Sequence, residues 1–513
     1  MEKEVIIESY SFFSNNIPVR ISIKREKNSF VPIYYVELST ISNTTKIILE
    51  KIREELIQKI DLGVVDITDT KKENLMEEKF KEMIVLLVKK HFPEAEENIQ
   101  NHLIAYLIQR SLGFGDLEIL MADKLLEEIV VNCAEEPVWV YHKKHGWLKT
   151  NITISREEEI RHYAAMIARR VGRQITVLSP LLDANLKSGD RVNCTLEPIS
   201  ANGNTITLRK FASEPWTITK FLEARTISED SAALIWLAVQ YELSILIAGG
   251  TASGKTSTLN AIANFFPPNQ RVISIEDTRE IVLPKFLHWV PLVTRQPNTE
   301  GKGEITMLDL LVNSLRMRPD RIIVGEVRRQ REAEILFEAI HTGHSVYATV
   351  HANNVQETIT RLTSPPINIP KSMIPAISLI MVQYRNRRTG IRRTFQIAEI
   401  LPDATPNILM QFDIKKDEMN KINKSISLMD TLQLYTGYSR TEIEKDIEQK
   451  IKVLRWLVEQ KISDVNQVGR IMAEYYTNNE ELMKIVDKKK SFNFEEEFKE
   501  KKEEKSVSKE NNK

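Results

Sequence analysis

A short loop between an apolar run and a helical pattern limits the folds that this chain can adopt. Residues 246–266 read LIAGGTASGKTSTLNAIANFF, and Gly249, Gly254, Lys255 and Thr256 satisfy the spacing G-x-x-x-x-G-K-[ST]. Glycines at this spacing let backbone N–H groups turn inward around phosphate oxygens, and a helix that begins at the lysine adds its positive end. The spacing therefore predicts a strand, a phosphate-binding loop and a helix in direct succession.

Every residue of this loop is a candidate nucleotide ligand. Lys255 supplies a point charge to the β- and γ-phosphates of ATP, and Thr256 supplies a hydroxyl to Mg²⁺. The other positions contribute mainly their backbone: Gly249, Gly250, Thr251, Ala252, Ser253 and Gly254. We therefore expect ATP and Mg²⁺ as ligands. A glycine-rich turn that matches by chance is the alternative, and the strand and helix patterns on either side argue against it.

Short apolar runs with helical patterns between them predict the fold class. The runs lie between residues 243 and 351 and read LSILIAG, RVISIED, RIIVGE and SVYATVH. Such runs are typical of a parallel sheet that helices cover on both faces. We expect an α/β domain with a parallel-rich central sheet, preceded by an α+β domain. Ligands of such a sheet lie beyond the carboxyl ends of its strands.

Acidic and imidazole side chains flank these runs. Each alone is ordinarily a solvated loop residue or a packing histidine, but together we expect them to converge where the phosphate loop opens. Glu280 and Glu326 are candidates to hold the water shell of Mg²⁺ and to orient or deprotonate the attacking water. Glu276 and Asp277 are candidates to join Thr256 around Mg²⁺, partly through water, and the two histidines are candidates to sense the γ-phosphate. The acids and histidines that flank these runs are thus six catalytic or metal-binding candidates: Glu276, Asp277, Glu280, Glu326, His344 and His351.

Composition excludes several classes of protein. The formal net charge is zero, so there is no global basic field, and we expect no direct binding of nucleic acid. Two cysteines, Cys133 and Cys194, suit a reducing compartment and provide neither a disulfide framework nor a four-cysteine zinc site. The N-terminus lacks the pattern of a signal peptide. Residues 232–250 are apolar but contain Gln240 and Glu242, which predicts a buried helix and strand instead of a membrane span.

The length of 513 residues predicts several domains. We expect five segments: an α+β accessory region at 1–95, an α+β domain at 96–214, the phosphate-loop domain at 215–400, a mostly helical region at 401–487 and a disordered charged tail at 488–513. Three pairs are predicted capping boxes at helix starts: Ser155 with Glu158, Thr306 with Asp309, and Ser439 with Glu442.

The motifs resemble those of a known family. GGTASGKT, ISIEDTRE, RIIVGEVR and HTGHSVYATVHANN are similar to the Walker A, Asp, Walker B and His boxes of the type II/type IV secretion superfamily ATPases, in the same order. Upstream, LLDANLKSGDRVNCTL and TITLRKF are similar to the segment before the ATPase domain in that family. The resemblance covers about 130–400, and the segment around the Walker B box looks most like archaeal members.

The resemblance implies a RecA-like ATPase domain and a ring-shaped homo-hexamer that works at the cytoplasmic face of the membrane, peripherally, with a polytopic membrane platform protein. It implies that Glu280 is the catalytic carboxylate and Glu326 the Walker B acid. Arg191 and Arg209 match arginines that in relatives reach toward the nucleotide, and the alternative is that both are surface arginines of a hairpin. Ala252 departs from the family, which commonly has a glycine there.

The family assembles type IV pili, archaella and secretion machines. The absence of a tetracysteine metal subdomain favours the pilus or archaellum branch, and we expect a motor for such a filament. Two alternatives stay open: an ATPase of the conjugation or type IV secretion type that exports protein or DNA, and a nucleotide-bound scaffold with little turnover.

Overall fold

The computed structural model describes residues 5–26, 29–59, 70–186, 188–211, 214–297 and 301–494. The chain divides into two compact units, Met1–Ser213 and Glu214–Lys513. Each unit is built on its own nine-stranded sheet. The expected segments 1–95 and 96–214 thus belong to one unit, and most of the region expected to be a disordered tail lies outside the described residues.

The first unit combines antiparallel strands with helices. Its strands are β1 Val5–Ser14, β2 Ile17–Arg25, β3 Ile33–Leu38, β4 Leu126–Val131, β5 Pro137–His142, β6 Gly146–Thr153, β7 Leu181–Asn185, β8 Arg191–Thr195 and β9 Thr205–Arg209. Its helices are α1 Asn43–Lys59, α2 Thr70–His91, α3 Glu97–Leu112, α4 Leu117–Ala122 and α5 Glu157–Arg170.

The sheet of the first unit runs in the order β1-β2-β3-β6-β5-β4-β9-β8-β7. All neighbours are antiparallel except β3 and β6. One apolar core lies between this sheet and α4 and α5, and a second is formed by α1, α2 and α3 around Ile17. Strands β8 and β9 form a hairpin across residues 200–204, paired from Arg191 opposite Arg209 to Thr195 opposite Thr205.

The second unit has the alternation that its apolar runs predicted. Its strands are β10 Ile245–Gly249, β11 Arg271–Glu276, β12 His288–Val293, β13 Arg321–Val324, β14 Ser345–Val350, β15 Leu379–Arg385, β16 Arg392–Ile400, β17 Pro406–Asp413 and β18 Glu418–Lys421. Its helices are α6 Ile218–Glu223, α7 Glu229–Gln240, α8 Lys255–Ala263, α9 Met307–Ser314, α10 Gln330–His341, α11 Val355–Thr363, α12 Ser427–Thr436, α13 Arg440–Glu459, α14 Val465–Thr477 and α15 Asn479–Asp487; short 3-10 helices span Leu315–Met317 and Lys371–Ala376.

The second sheet is parallel over most of its width. Its order is β12-β11-β13-β14-β10-β15-β16-β17-β18, and pairing is parallel from β12 through β15 and antiparallel beyond. The strands β10, β13 and β14 are buried at every residue. Helices α9, α10 and α11 cover one face, while α7, α8 and the helices from α12 onward share a core on the other. The expected α/β class with a parallel-rich central sheet is confirmed.

Residues 401–487 begin with two strands that continue the sheet, and the helices that make up most of the rest pack on α7, so in the described part they form no unit of their own. One expectation about local structure needs correction. The predicted Ser155–Glu158 capping box is wrong. Helix α5 begins at Glu157 after an Arg156 N-cap with no side-chain bond, and Glu157 instead accepts the backbone N–H groups of Ala134 and Asn204, each at 2.6 Å.

The other two capping boxes are confirmed, with Thr306 capping α9 and Ser439 capping α13. The buried helix and strand predicted for residues 232–250 are α7 and β10. Among the helices that the structure describes, none combines the length and the apolar character needed to cross a membrane.

Candidate nucleotide-binding site

The phosphate loop follows β10 and leads into α8. Ala252 has a φ of 58° and Gly254 a φ of 100°, so two residues of the loop adopt left-handed backbone. A Cβ at Gly249 would lie 2.3 Å from Ser253 Oγ and 2.9 Å from Gln383 O, so only glycine fits there. Helix α8 begins at Lys255 without a side-chain cap, which leaves its first N–H groups facing the loop. This geometry is that of an anion-binding helix N-terminus.

Lys255 is folded over its own loop. Its Nζ donates to the carbonyl oxygens of Gly249 at 3.1 Å and Gly250 at 3.2 Å. Burial lowers the pKa of Lys255, while the negative charges of Glu326 and Glu280 act in the opposite direction. Because these carboxylates influence the lysine, the loop and two of the candidate acids share one electrostatic environment.

Arg328 joins two of the acids at the strand ends. Its Nη2 and Nε donate to Glu326 Oε2 at 2.7 and 3.0 Å, and its Nη1 donates to Asp277 Oδ2 at 2.7 Å. Glu326 follows β13 and Asp277 follows β11, which are neighbouring parallel strands. The guanidinium therefore holds both carboxylates at the carboxyl edge of the sheet. Sequence reasoning missed Arg328 as a site residue, although a guanidinium two residues after an acid suits such a bridge.

Glu276 occupies a different position from the one expected. Its side chain is buried, 2% exposed, and its Oε1 accepts the backbone N–H groups of Glu280 and Ile281 at 2.9 and 3.0 Å. Burial raises the pKa of Glu276 to about 7. This carboxyl group therefore holds the backbone that carries Glu280 instead of facing solvent as a magnesium ligand. This position could not be predicted from the sequence, because burial of a strand-end acid depends on its neighbours in space.

The two histidines separate. His351 follows β14 and its Nε2 lies 3.1 Å from Thr251 Oγ1 of the phosphate loop. Burial and the neighbouring Lys255 lower its pKa, so the ring is neutral at pH 7. His344 precedes the same strand and donates from Nδ1 to Pro319 O at 3.1 Å. The strand of six residues between them spans about 20 Å. The expectation that both converge on the loop is wrong for His344, because residues at the two ends of one strand meet opposite edges of the sheet.

Two further residues contact this region and were not expected. Arg392, at the start of β16, donates from Nε to Ala252 O at 3.1 Å, and Asn260 of α8 contacts the Glu280 segment. Asn260 stands four residues after Thr256, on the same side of the helix, and this spacing was a usable signal. No sequence signal points to Arg392, since its strand β16 is separated from β10 by β15 in the sheet.

The residues present fit ATP with Mg²⁺. Ser253 Oγ is buried in the loop with no hydrogen-bond partner, and Thr256 lies in the first turn of α8 beside Lys255. In the described ranges, no three His, Cys, Asp or Glu side chains form a ready metal cluster. Mg²⁺ ordinarily binds through one or two protein oxygens together with phosphates and water. Thr256, with Glu326 and Asp277 at the neighbouring strand ends, provides oxygens of that kind.

Arg191 and Arg209 lie in the first unit, on the neighbouring strands β8 and β9, directly opposite each other. Arg191 donates to both carboxylate oxygens of Asp183, at 3.1 and 2.7 Å. Arg209 lies directly opposite Glu128 of the neighbouring strand β4. The two arginines are therefore cross-strand neighbours on the sheet of the first unit, with Asp183 bonded to Arg191 and Glu128 opposite Arg209.

Comparison with known proteins identifies the family. A model described as "Type II/IV secretion system protein" matches residues 112–391, and one described as "PilB3-like, C-terminal" matches residues 417–492. An uncharacterized protein of Methanocaldococcus jannaschii is 36% identical over 388 residues, which are 72% of this chain and 69% of that protein. A putative conjugal transfer protein of Mycobacterium tuberculosis is 32% identical over 299 residues, 56% and 84% of the two chains.

Among solved structures, the pilus retraction motor PilT with bound ADP is 17% identical with a TM-score of 0.42, and the match covers 72% of this chain and 95% of that one. This likeness is low, so the family rests on the sequence matches. Because the first model covers more than half of the chain, the chain belongs to the type II/IV secretion system protein family and is a secretion ATPase of the type II/type IV superfamily.

Proposed function

We propose that this chain is a cytoplasmic motor that forms a ring hexamer and hydrolyses ATP to power assembly of a type IV pilus-like filament, a pilus or an archaellum. It acts peripherally on the membrane, through a polytopic platform protein. The observation that carries the proposal is the meeting of Lys255, Glu326 and His351 at one edge of the sheet, with the charge of Glu280 acting on the same lysine.

The residues divide the work of hydrolysis. Lys255 and the N–H groups of the loop bind the phosphates, and Thr256 with Asp277 and Glu326 would hold Mg²⁺, which would supply positive charge next to the transferring phosphoryl group. Glu280 orients or deprotonates the attacking water. His351, neutral and bonded to Thr251, contacts the loop beside the γ-phosphate position and reports its occupancy.

Phosphate release by the purified full chain tests hydrolysis. We expect single-turnover release by the wild type, and a loss of about 10²-fold or more in Lys255→Ala and Glu280→Gln. Glu481→Gln is the matched control, since Glu481 pairs with Lys484 on the exposed surface of α15, away from the phosphate loop in sequence. A nucleotide-bound scaffold would show no release above background in any of the four proteins. Hexamer formation is tested by particle mass with a non-hydrolysable ATP analogue.

Arg191 and Arg209 complete the site in this proposal, because a planar and permanent charge suits phosphate oxygens. Arg191→Ala and Arg209→Ala should then lower kcat much more than ATP affinity. Asp183→Asn is the control that releases Arg191 from its ion pair and keeps its charge. Unchanged kcat in both arginine variants removes them from the mechanism.

The filament itself is tested in cells. Replacement of the gene by Lys255→Ala should abolish the filament, and normal filaments in such cells refute the motor assignment. A second function, export of protein or DNA by a conjugation-type machine, is favoured by the similarity to a putative conjugal transfer protein. Gene neighbours separate the two, since pilin-like precursors with a platform protein accompany the first and a relaxase with a coupling protein the second.

A further inference from the structure

The segment that carries Glu280 has no regular structure of its own. Between the end of β11 and the start of β12, residues 277–287 form only bends, turns and irregular backbone. No ladder of backbone hydrogen bonds therefore sets the position of Glu280. Its place depends on the side chains that bind this segment from outside.

Two side chains hold the near part of the segment. Glu276 accepts from the backbone at residues 280 and 281, as described above. Asn260 of α8 donates from Nδ2 to Glu280 O at 3.1 Å, and its Oδ1 accepts the N–H of Val282 at 2.8 Å. Because α8 begins in the phosphate loop, Asn260 ties the Glu280 backbone to the helix that holds the phosphates.

The far part of the segment is held by α14, near the end of the described chain. Asn466 Oδ1 accepts the N–H of Lys285 at 2.9 Å. Gly469 packs against Pro284 so closely that an added Cβ would lie 2.3 Å from the proline Cγ and 2.9 Å from its Cβ. The backbone of α14 therefore forms the wall against which the end of the segment rests.

Apolar packing continues the same contact. Ile281 and Leu283, on either side of Val282, are 0% and 2% exposed. They belong to one buried cluster with three residues of α14: Val468, Ile471 and Met472. The two residues directly after Glu280 and Val282 are thus anchored in a core to which α14 contributes.

We propose that α14 positions the catalytic carboxylate, with Asn466 and Gly469 as positioning residues for Glu280. This inference deepens the proposed function and rests on it. Neither residue touches the phosphate loop, so both act through Pro284 and Lys285 on the orientation of Glu280. Helix α14 lies within residues 417–492, which match a different family model from the one that matches the ATPase boxes. It therefore supports the site from outside the four motifs.

Gly469→Ala is the sharpest test, because alanine in place of glycine inside a helix ordinarily stabilises the helix. A loss in this variant must come from the contact with Pro284. We expect kcat to fall roughly 10- to 100-fold, as a shift of about 1 Å in a catalytic group produces. The KM for ATP and the affinity for a fluorescent ATP analogue should stay within about threefold, since the phosphate loop is unchanged.

Rescue and conservative variants separate positioning from loss of structure. Pro284→Ala combined with Gly469→Ala removes the nearest atom and should restore part of kcat relative to Gly469→Ala alone. Asn466→Ala should lower kcat, while Asn466→Asp, which still accepts the Lys285 N–H, should retain most of it. Gln467→Ala, exposed on the same helix, is the control. Thermal unfolding of each variant shows which proteins are folded.

A kcat within twofold of wild type in folded Gly469→Ala and Asn466→Ala overturns the inference. Equal losses in kcat and in analogue affinity also overturn it, because they indicate general damage to the site. Glu280→Gln is measured in parallel. If the wild type releases no phosphate, the proposed function itself fails; if Glu280→Gln is inactive while the α14 variants are normal, only the role of α14 is rejected.

Discussion

The two ends of β13 carry arginines in opposite circumstances. Arg321, at the amino end, is 0% exposed; it donates to Gln270 Oε1, to Tyr347 OH and, at 2.7 Å, to Val239 O, and it lies 4.8 Å from the centroid of the Phe266 ring. Arg328, beyond the carboxyl end, is exposed, and its guanidinium donates to two carboxylates of the site. The same cation is part of the core at one edge and part of a polar site at the other.

The histidines around β14 repeat the contrast. His344 is bonded to a backbone carbonyl at the amino edge, and His351 contacts the phosphate loop at the carboxyl edge. In a parallel sheet all strands present their carboxyl ends together, so polar groups gather at one edge while the other closes with satisfied structural contacts. In both pairs, the end of the strand at which a residue lies, more than its type, determines whether it belongs to the site or to the core.

The largest expected effect is on stability at the amino edge. Arg321→Met removes three hydrogen bonds and leaves Tyr347 OH and Val239 O without this donor in the core, so we expect a loss of about 3 kcal/mol in the free energy of unfolding. Arg328→Met is the matched variant at the other end of the strand and should cost about 1 kcal/mol or less. Equal losses in the free energy of unfolding of the two variants, measured by urea denaturation, would show that the two ends of β13 do not differ in this way.

The next effect is on turnover. His351→Ala should lower kcat roughly tenfold, because it removes a polar contact of the phosphate loop. His344→Ala should leave the activity of the folded protein within about twofold, since its ring bonds a carbonyl at the far edge. Steady-state phosphate release with both variants measures the difference, and a larger loss in His344→Ala would reverse our assignment of the two edges.

A smaller effect is expected on the metal. Arg328→Met removes the cation that Glu326 and Asp277 share, which leaves two unneutralised carboxylates at the site. The concentration of Mg²⁺ that gives half-maximal turnover should then fall severalfold, because the two carboxylates attract Mg²⁺ more strongly by about 1 kcal/mol. Titration of Mg²⁺ at fixed ATP tests this, and a higher requirement in the variant would place Mg²⁺ away from these acids.

The smallest effect concerns pH. The folded-state pKa of His351 is lowered below 6.5, so the folded protein binds fewer protons than the unfolded chain as the pH falls through this range. Stability should therefore decline below about pH 6.5, and this part of the decline should be absent in His351→Gln. Thermal unfolding of both proteins between pH 5 and 7.5 checks the slope; identical slopes would show that His351 is not buried in this way.

Much of the site was predictable because its signals are local in sequence. The phosphate loop, the helix after it and the acids at strand ends depend on spacing and on the alternation of strands and helices. His344 shows the limit of that reasoning, since proximity in sequence to a strand says nothing until the direction of the strand is considered. Glu276 shows a second limit of reasoning from the sequence. Of the adjacent acids Glu276 and Asp277, the first is buried in the core and the second accepts a hydrogen bond from Arg328.

By itself the sequence determined the class of fold and the elements that bind phosphate, because apolar periodicity and glycine spacing act on neighbouring residues. Only the tertiary structure decided which polar groups meet. Arg392 and α14 reach the site from a strand and a helix that folding brings alongside it, and contacts of this kind follow from packing between distant segments. The physical reason is that chain stereochemistry is local, whereas burial and hydrogen-bond pairing depend on the complete three-dimensional arrangement.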